Sequence, residues 1–282
     1  MFDTIFQYEF LQNAFITGFI IGIIAPLLGV FIVVRKLSLI ADALSHITLS
    51  GIAASLFLSN WVVPLATFNP MYIGMGFSVI GAILIEKLRT VYKHYEELAI
   101  PIIMSLGIGL GVILISMADG FTPDLFGYLF GSVSAVSRSD LFVVIMISVL
   151  VIAVFIFLYK ELFALSFDEE HAKTMGIKAK LINHIFMIIV ALVIAVSMRI
   201  VGILLVSSLI TLPVAASIRI AKSFKQACIL SVIFSEVSVI GGLISAFYLD
   251  LSPGGTIVVI AAFILVISIM FGKMRNRKTR SV

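Results

Sequence analysis

The run LQNAFITGFIIGIIAPLLGVFIVV, residues 11–34, decides the fold class of this chain. It contains no Asp, Glu, Lys or Arg, and it exceeds the roughly 20 residues that an α-helix needs to cross the hydrocarbon layer of a bilayer. The whole chain of 282 residues is 61% hydrophobic and 12% charged, with a mean hydropathy of +1.23. A soluble domain carries about 25% charged residues. This composition predicts an all-α, polytopic membrane helical bundle.

Further apolar runs divide the rest of the chain, and we predict about nine transmembrane helices in all. The predicted segments are residues 11–34, 38–58, 62–85, 99–118, 141–159, 182–198, 200–218, 226–248 and 256–271. The number falls to eight if one of the weaker segments, the second, sixth or seventh, is re-entrant. Asn69-Pro70 is expected to break or kink the third segment. No loop is long enough to fold alone, so residues 1–282 are predicted to form a single transmembrane domain.

The positions of the basic residues predict how the chain is oriented. With the N-terminus outside, all of the 19 Lys and Arg residues except Arg138 and Arg199 fall on one side of the membrane. The positive-inside rule makes that side cytoplasmic, so the C-terminus is predicted to be cytoplasmic. The stretch MFDTIFQYEF at 1–10 has no Lys or Arg, so a cleaved signal peptide is not expected. The basic residues therefore indicate a multi-pass protein in contact with membrane lipid, and not a nucleic-acid partner.

One predicted membrane segment carries an ionisable pair. In LIADALSHITLSGIAA, residues 39–54, Asp42 and His46 are four positions apart, so an α-helix places both on one face, one turn apart. Charged groups at membrane depth are rare, so an ionisable residue there is by default a candidate functional residue. A carboxylate and an imidazole together can bind a single cation. The alternative is that His46 only satisfies Asp42 in a hydrogen-bonded helix pair.

A second acid lies at a similar predicted depth. His46 is roughly 12 Å and Glu236 roughly 15 Å from the cytoplasmic start of their segments, at 1.5 Å per residue. If the two segments are neighbours, Asp42, His46 and Glu236 form a mixed oxygen and nitrogen set that suits zinc or manganese ahead of iron. The same residues also suit a proton relay. Glu236 could instead be a protonated, hydrogen-bonded acid among Ser235 and Ser238.

The longest cytoplasmic connection, residues 160–180, reads KELFALSFDEEHAKTMGIKAK. Acids at its centre and a stop at Gly176 predict a short helix. The chain has no GxxxxGK phosphate loop and no hydrolytic signature, so it is not expected to be an enzyme by itself. If transport is driven by ATP, the ATPase must be a separate chain, and this loop is the natural docking element for it. Residues 120–140 are predicted to form a short interfacial or re-entrant element.

Four stretches resemble the membrane permease of bacterial ABC transporters for zinc, manganese or iron, the metal-type ABC-3 permeases. The stretches are RKLSLIADALSHITLSGIAAS at 35–55, DLFGYLFGSVSAVS at 124–137, FDEEHAKTMGI at 167–177 and VGILLVSSLITLPVAASIRIA at 201–221. The resemblance covers nearly the whole chain, and DALSH is its most specific part. It implies an importer in which two copies of the permease bind two cytoplasmic ATPase subunits that use ATP. It also implies an extracellular metal-binding protein that delivers the ion.

The resemblance also implies roles for individual residues. Asp42 and His46 would contact the metal as it passes between the two copies, and Glu236 would join them on the shorter motif FSEVSVIGG. The residues implied to contact the ATPase are Asp168, Glu169, Glu170, His171, Lys173 and Gly176. The divalent metal is then cargo, and no covalently bound cofactor is expected. A proton-coupled secondary metal transporter or channel is the alternative function, and a non-transporting membrane scaffold or sensor is a third.

Overall fold

The computed structural model describes residues 8–59, 69–92, 94–118 and 123–279. These ranges contain eleven α-helices and no β-strand. The helices are α1 Glu9–Val34, α2 Ile40–Ser59, α3 Pro70–Val91, α4 Ala99–Met117, α5 Pro123–Phe130, α6 Arg138–Phe167, α7 Glu169–Thr174, α8 Ala179–Val201, α9 Val206–Ile220, α10 Phe224–Leu249 and α11 Pro253–Thr279. A short 3₁₀ turn, Glu96–Leu98, leads into α4.

Within the described ranges, eight helices are long and apolar enough to cross a bilayer, namely α1, α2, α3, α4, α6, α8, α10 and α11. The predicted all-α, polytopic membrane bundle is therefore confirmed. The predicted segment 200–218 differs, because it is a short helix, α9, of 15 residues. Such a helix is about 22 Å long, less than the roughly 30 Å of a hydrocarbon layer. The orientation of the bundle in the membrane stays a prediction.

The short helix α9, together with the turn before it and the end of α8, nevertheless lies beside much of the length of α11. At one end, a Cβ on Gly254 would overlap the carbonyl oxygen of Val201. At the other end, a Cβ on Gly272 would lie 3.4 Å from the carbonyl oxygen of Arg219. The stretch of α11 between these two contacts is about 27 Å long at 1.5 Å per residue. Residues 201–219 therefore cover a similar depth, with a non-helical turn at 202–205 replacing part of the helix.

The third predicted segment, 62–85, begins later than expected. Helix α3 starts at Pro70, and the Asn69 side chain caps it by accepting a hydrogen bond from the Met71 N–H at 3.1 Å. Proline suits the first position of a helix because its missing N–H has no partner there and its φ is already helical. Asn69-Pro70 thus begins the helix instead of kinking it, and the predicted positions 62–68 lie outside the described residues.

The predicted element at 120–140 contains α5, an eight-residue helix too short to span a membrane. The end of α5 and the residues after it meet the end of α8 and the turn between α8 and α9. The Ile203 N–H donates to the Tyr128 carbonyl at 2.9 Å, and the Ser132 N–H donates to the Arg199 carbonyl at 3.0 Å. Gly202 has φ +85°, a left-handed conformation that glycine adopts without strain. This junction joins α5 to the ends of α8 and α11.

Burial divides the helices into central and peripheral groups. The central helices are α1, α2 and α8, and the largest fully buried side chain is Phe31 of α1. The peripheral helices α4, α6 and α11 expose large apolar side chains such as Val112, Phe157 and Phe263. Exposed apolar surface of this extent is unusual on a soluble monomer. Exposure of this kind is typical of a membrane-spanning bundle.

Candidate metal pathway and coupling elements

Asp42 and His46 lie in the first two turns of α2, which begins at Ile40. Both are half-buried, and the three residues between them are fully buried. In the described part of the chain, neither side chain has a hydrogen bond or an ion pair with another residue. The mutual hydrogen bond that a purely structural pair would need is therefore not formed. The two side chains stay available as ligands on the same partly open stripe of α2, which continues at Leu49.

The opposite side of α2 is fixed by close packing. A Cβ on Gly107 of α4 would lie 2.8 Å from the Ile47 side chain and 3.2 Å from the carbonyl carbon of His46. The Ser50 hydroxyl lies within hydrogen-bond distance of the carbonyl oxygens of Gly107 and His46. Small residues let membrane helices approach this closely. Helix α4 therefore fixes the backbone that carries His46 and leaves the Asp42 side of α2 open.

Glu236 lies on α10, away from this pair. Both of its carboxylate oxygens are buried and have no hydrogen-bond partner among the residues that the structure describes, and a Cβ on Gly22 of α1 would lie 2.6 Å from the nearer oxygen. The predicted alternative, hydrogen bonds from Ser235 and Ser238 to Glu236, is not found in the described residues. The Ser238 hydroxyl donates to the Phe234 carbonyl instead, and the Ser235 hydroxyl has no partner there. The site thus holds a desolvated carboxyl group in contact with the glycine face of α1.

A single copy of the chain does not bring Asp42, His46 and Glu236 together. Helix α2 packs mainly against α4, α3 and α8, whereas α10 packs mainly against α11, α1 and α9. Over the residues that the structure describes, no group of three or more His, Cys, Asp and Glu side chains could hold a metal ion. The sequence analysis grouped these three residues because their predicted depths in the membrane are similar. Depth does not show which helices are neighbours.

The predicted short helix in the 160–180 loop is α7. Asp168 precedes it and accepts a hydrogen bond from the His171 N–H at 2.8 Å, and Gly176 ends it with φ +84°. Lys173 contacts Glu169 at 3.0 Å, and the hydrogen bond and charge of Glu169 raise the pKa of Lys173.

Most side chains of this segment point into solvent. Glu170, His171 and Lys173 are exposed, whereas Ala172 is buried against the bundle. The segment therefore presents a surface of mixed charge on a short, anchored helix, which is suited to a protein partner.

Arg35 is a feature that the sequence did not reveal. It follows α1, and its guanidinium donates to the Ser166 hydroxyl at 3.0 Å, to the Asn183 side-chain oxygen at 2.9 Å and to the Leu162 carbonyl at 3.3 Å. The group also lies 4.8 Å from the centre of the Phe186 ring. Burial lowers the pKa of Arg35 to about 10, which leaves it charged at neutral pH. The sequence analysis used Arg35 only as one of the basic residues that predict the orientation of the chain in the membrane.

A second buried cluster lies on the predicted outer side. Asp140, 3% exposed, forms an ion pair with Arg199 and accepts a hydrogen bond from the Asn69 amide at 2.8 Å. The Arg199 guanidinium lies 5.4 Å from the centre of the Tyr128 ring. The four residues belong to α6, α8, the start of α3 and α5. In the sequence, Arg199 is one of two basic residues predicted on the outer side of the membrane. No sequence pattern indicates its partner Asp140, which lies 59 positions away.

Comparisons with known proteins relate the whole chain to one family of transport proteins. Residues 7–272 match the ABC 3 transport family. The chain is 34% identical over 271 residues to the manganese transport system membrane protein MntC of Listeria monocytogenes, covering 95% of this chain and 93% of that protein. It is 32% identical over 263 residues to the high-affinity zinc uptake system membrane protein ZnuB of Haemophilus influenzae, covering 93% and 98%. The solved structure of PsaBC from Streptococcus pneumoniae in complex with Fab matches with a TM-score of 0.81 at 32% identity, covering 95% of this chain and 93% of that one.

Proposed function

Because the chain belongs to the ABC 3 transport family, we propose that it is the membrane-spanning subunit of an ATP-driven importer of a divalent transition metal. Relatives named for manganese and for zinc support these two ions ahead of iron. ATP is hydrolysed by a separate cytoplasmic subunit, since this chain has no phosphate loop. An extracellular metal-binding protein delivers the ion, which then passes between two copies of the permease.

The observation that carries this proposal is the unpartnered pair Asp42 and His46. Both are half-buried on one open stripe of α2, and among the described residues neither side chain forms a hydrogen bond or an ion pair. Zinc and manganese take about four to six ligands, so two side chains are at most half of a site. A second copy with the same stripe facing the first would supply the other two. A shared site of this kind binds an ion only while the two copies hold it, which suits a pathway that must also release it.

Glu236 enters the proposal at a separate position. Its two buried oxygens have no partner in the described part of the chain, so the carboxylate is available to an ion that reaches the contact between α1 and α10. It does not complete the Asp42 and His46 set within one copy, because the helices that carry them pack in different parts of the bundle. Glu236 is therefore a further candidate ligand and not the third member of one site.

The coupling role is proposed for α7 and the residues around it. Its exposed charges suit docking to a cytoplasmic ATPase, and its two ends continue into the long helices α6 and α8. Movement of the docked ATPase would therefore reach the membrane region through rigid elements. The residues proposed to contact the ATPase are Asp168, Glu169, Glu170, His171, Lys173 and Gly176.

The test is metal uptake into proteoliposomes that contain the chain and its ATPase, supplied with the delivery protein. Asp42→Asn and His46→Gln should each lower uptake of the transported ion by about tenfold or more, the scale on which metal sites respond to loss of a supporting group. The matched controls are Glu97→Gln and His94→Gln, because both residues are exposed. These control variants should transport normally.

Three outcomes would contradict the proposal. Uptake driven by a proton gradient without the ATPase would favour the secondary transporter or channel. Unchanged uptake in both the Asp42 and His46 variants would remove the metal-contacting role, and no uptake of any ion by the unaltered protein would favour a scaffold or sensor. Offering zinc, manganese and iron in turn identifies the cargo.

A further inference from the structure

Arg35 joins three parts of the chain that are distant in sequence. Its partners Leu162 and Ser166 lie on the last turns of α6, just before α7, and Asn183 and Phe186 lie on the first turns of α8, just after α7. The guanidinium therefore contacts both helices that flank the coupling helix. Its three hydrogen bonds and the stacking contact use the planar fork of arginine, which a lysine ammonium cannot reproduce.

The backbone on the other side of Arg35 leads directly to the proposed metal ligands. The Arg35 N–H closes α1 on the Phe31 carbonyl at 3.0 Å, and the Leu37 N–H returns to the Ile32 carbonyl at 2.9 Å. The Ile40 N–H then donates to the Leu37 carbonyl at 2.9 Å as α2 begins. This hydrogen-bonded turn is short, and Asp42 follows at once. We therefore expect a displacement of Arg35 to move the start of α2 as well, because the connection between them is short and hydrogen-bonded.

We propose that Arg35 is a positioning residue that couples movement of α7 to the helix carrying Asp42 and His46. The inference rests on the proposed function, in which α7 docks the ATPase and the pair contacts the ion. When the ends of α6 and α8 move with the docked ATPase, the guanidinium they hold moves with them and carries the first turn of α2. Arg35 does not contact the ion. Its role is to make the ligand helix follow the ATPase.

The proposal predicts a loss of coupling more than a loss of folding. Arg35→Lys keeps a positive charge but cannot hold Leu162, Ser166 and Asn183 together. We expect metal transported per ATP hydrolysed to fall by about fivefold or more, the lower end of typical coupling between sites, while ATPase activity of the assembled complex stays within about twofold. Lys36→Gln is the matched control, since Lys36 is the adjacent basic residue and is exposed. It should leave the ratio unchanged.

A second pair of variants tests the same contacts from the other side. Asn183→Ala and Ser166→Ala remove partners of Arg35 and leave the arginine in place, so they remain informative if Arg35→Lys fails to assemble. Each should lower the ratio, and the double variant should lower it further. Metal binding to the stalled complex should persist in all three.

The outcomes separate this inference from the proposed function. If the unaltered complex shows no ATP-dependent uptake, the proposed function fails, and if Asp42→Asn and His46→Gln both transport normally, the metal-contacting role within it fails. If the unaltered complex transports and Asp42→Asn does not, but the ratio is the same in Arg35→Lys or in the double partner variant, the role of Arg35 is overturned. A proportional fall of uptake and ATPase activity would also overturn it, because that result indicates loss of active complex and not loss of coupling.

Discussion

The ion pair between Asp140 and Arg199 gives the sharpest prediction for stability. Asp140→Ala removes a carboxylate that is 3% exposed and accepts from Arg199, from the Asn69 amide at 2.8 Å and from the Ser137 N–H at 3.0 Å. Leaving one member of a buried pair alone costs about 3–5 kcal/mol. Loss of the capping box with Ser137 adds about 1 kcal/mol. The free energy of unfolding should therefore fall by about 4 kcal/mol or more.

The assay is thermal unfolding of the purified protein in mild detergent. At about 2–4 °C per kcal/mol, the midpoint should drop by about 10 °C. Arg138→Ala is the matched control, because its pair with Glu9 is exposed, with side chains 79% and 54% accessible. Exposed pairs contribute about 0–1 kcal/mol, so the midpoint of this control should hardly move.

A double variant identifies the cause of the loss. Asp140→Ala with Arg199→Met removes both charges, so the unpaired guanidinium no longer has to be buried. The midpoint should recover most of the difference, except for the part due to the lost helix cap. The reasoning is refuted if Asp140→Ala is as mild as the Arg138→Ala control, or if the two substitutions in the double variant simply add.

Two further predictions concern close helix contacts. Gly107→Leu should force α4 away from α2 at an expected cost of about 1–3 kcal/mol, whereas Gly109→Leu should be tolerated because a Cβ there meets no atom within 4 Å; thermal midpoints compare the two, and equal midpoints would contradict the packing. Glu236→Gln at pH 8 should leave the free energy of unfolding unchanged or raise it by about 1 kcal/mol, and the thermal midpoint with it, since it replaces a buried carboxylate that has no hydrogen-bond partner among the described residues. A clear fall would show that the charge itself stabilises the fold.

The parts of the structure that the sequence predicted well depend on local or one-dimensional signals. Apolar runs of spanning length predicted the bundle, and the four-residue spacing of Asp42 and His46 placed them on one stripe. The helix α7 followed from its acidic start and from Gly176, because caps and stops act through neighbouring residues.

The parts that were missed depend on which helices are lateral neighbours. Hydropathy fixes how deep a residue lies and not which helix it contacts, so Glu236 was joined to a pair from which the packing separates it. Arg35 and Arg199 appeared only as topology signals for the same reason, since their partners lie 127 to 148 and 59 positions away. Of the predicted break or kink at Asn69-Pro70, only the kink is not found, and a proline at the first helical position favours a helix start there.

The non-helical turn at 202–205 has a consequence for which changes the bundle can accept. Its Ile203 N–H donates to the Tyr128 carbonyl at 2.9 Å and its Leu204 N–H to the Leu129 carbonyl at 3.4 Å, so α5 supplies the hydrogen bonds that a continuous helix would have made for itself. Unpaired backbone groups are costly where water is scarce. At this contact between α5 and the turn at 202–205, the length and register of both segments are therefore more constrained than the identity of their side chains. An inserted residue on either side would unpair the backbone, whereas the exposed Leu204 side chain is free to change.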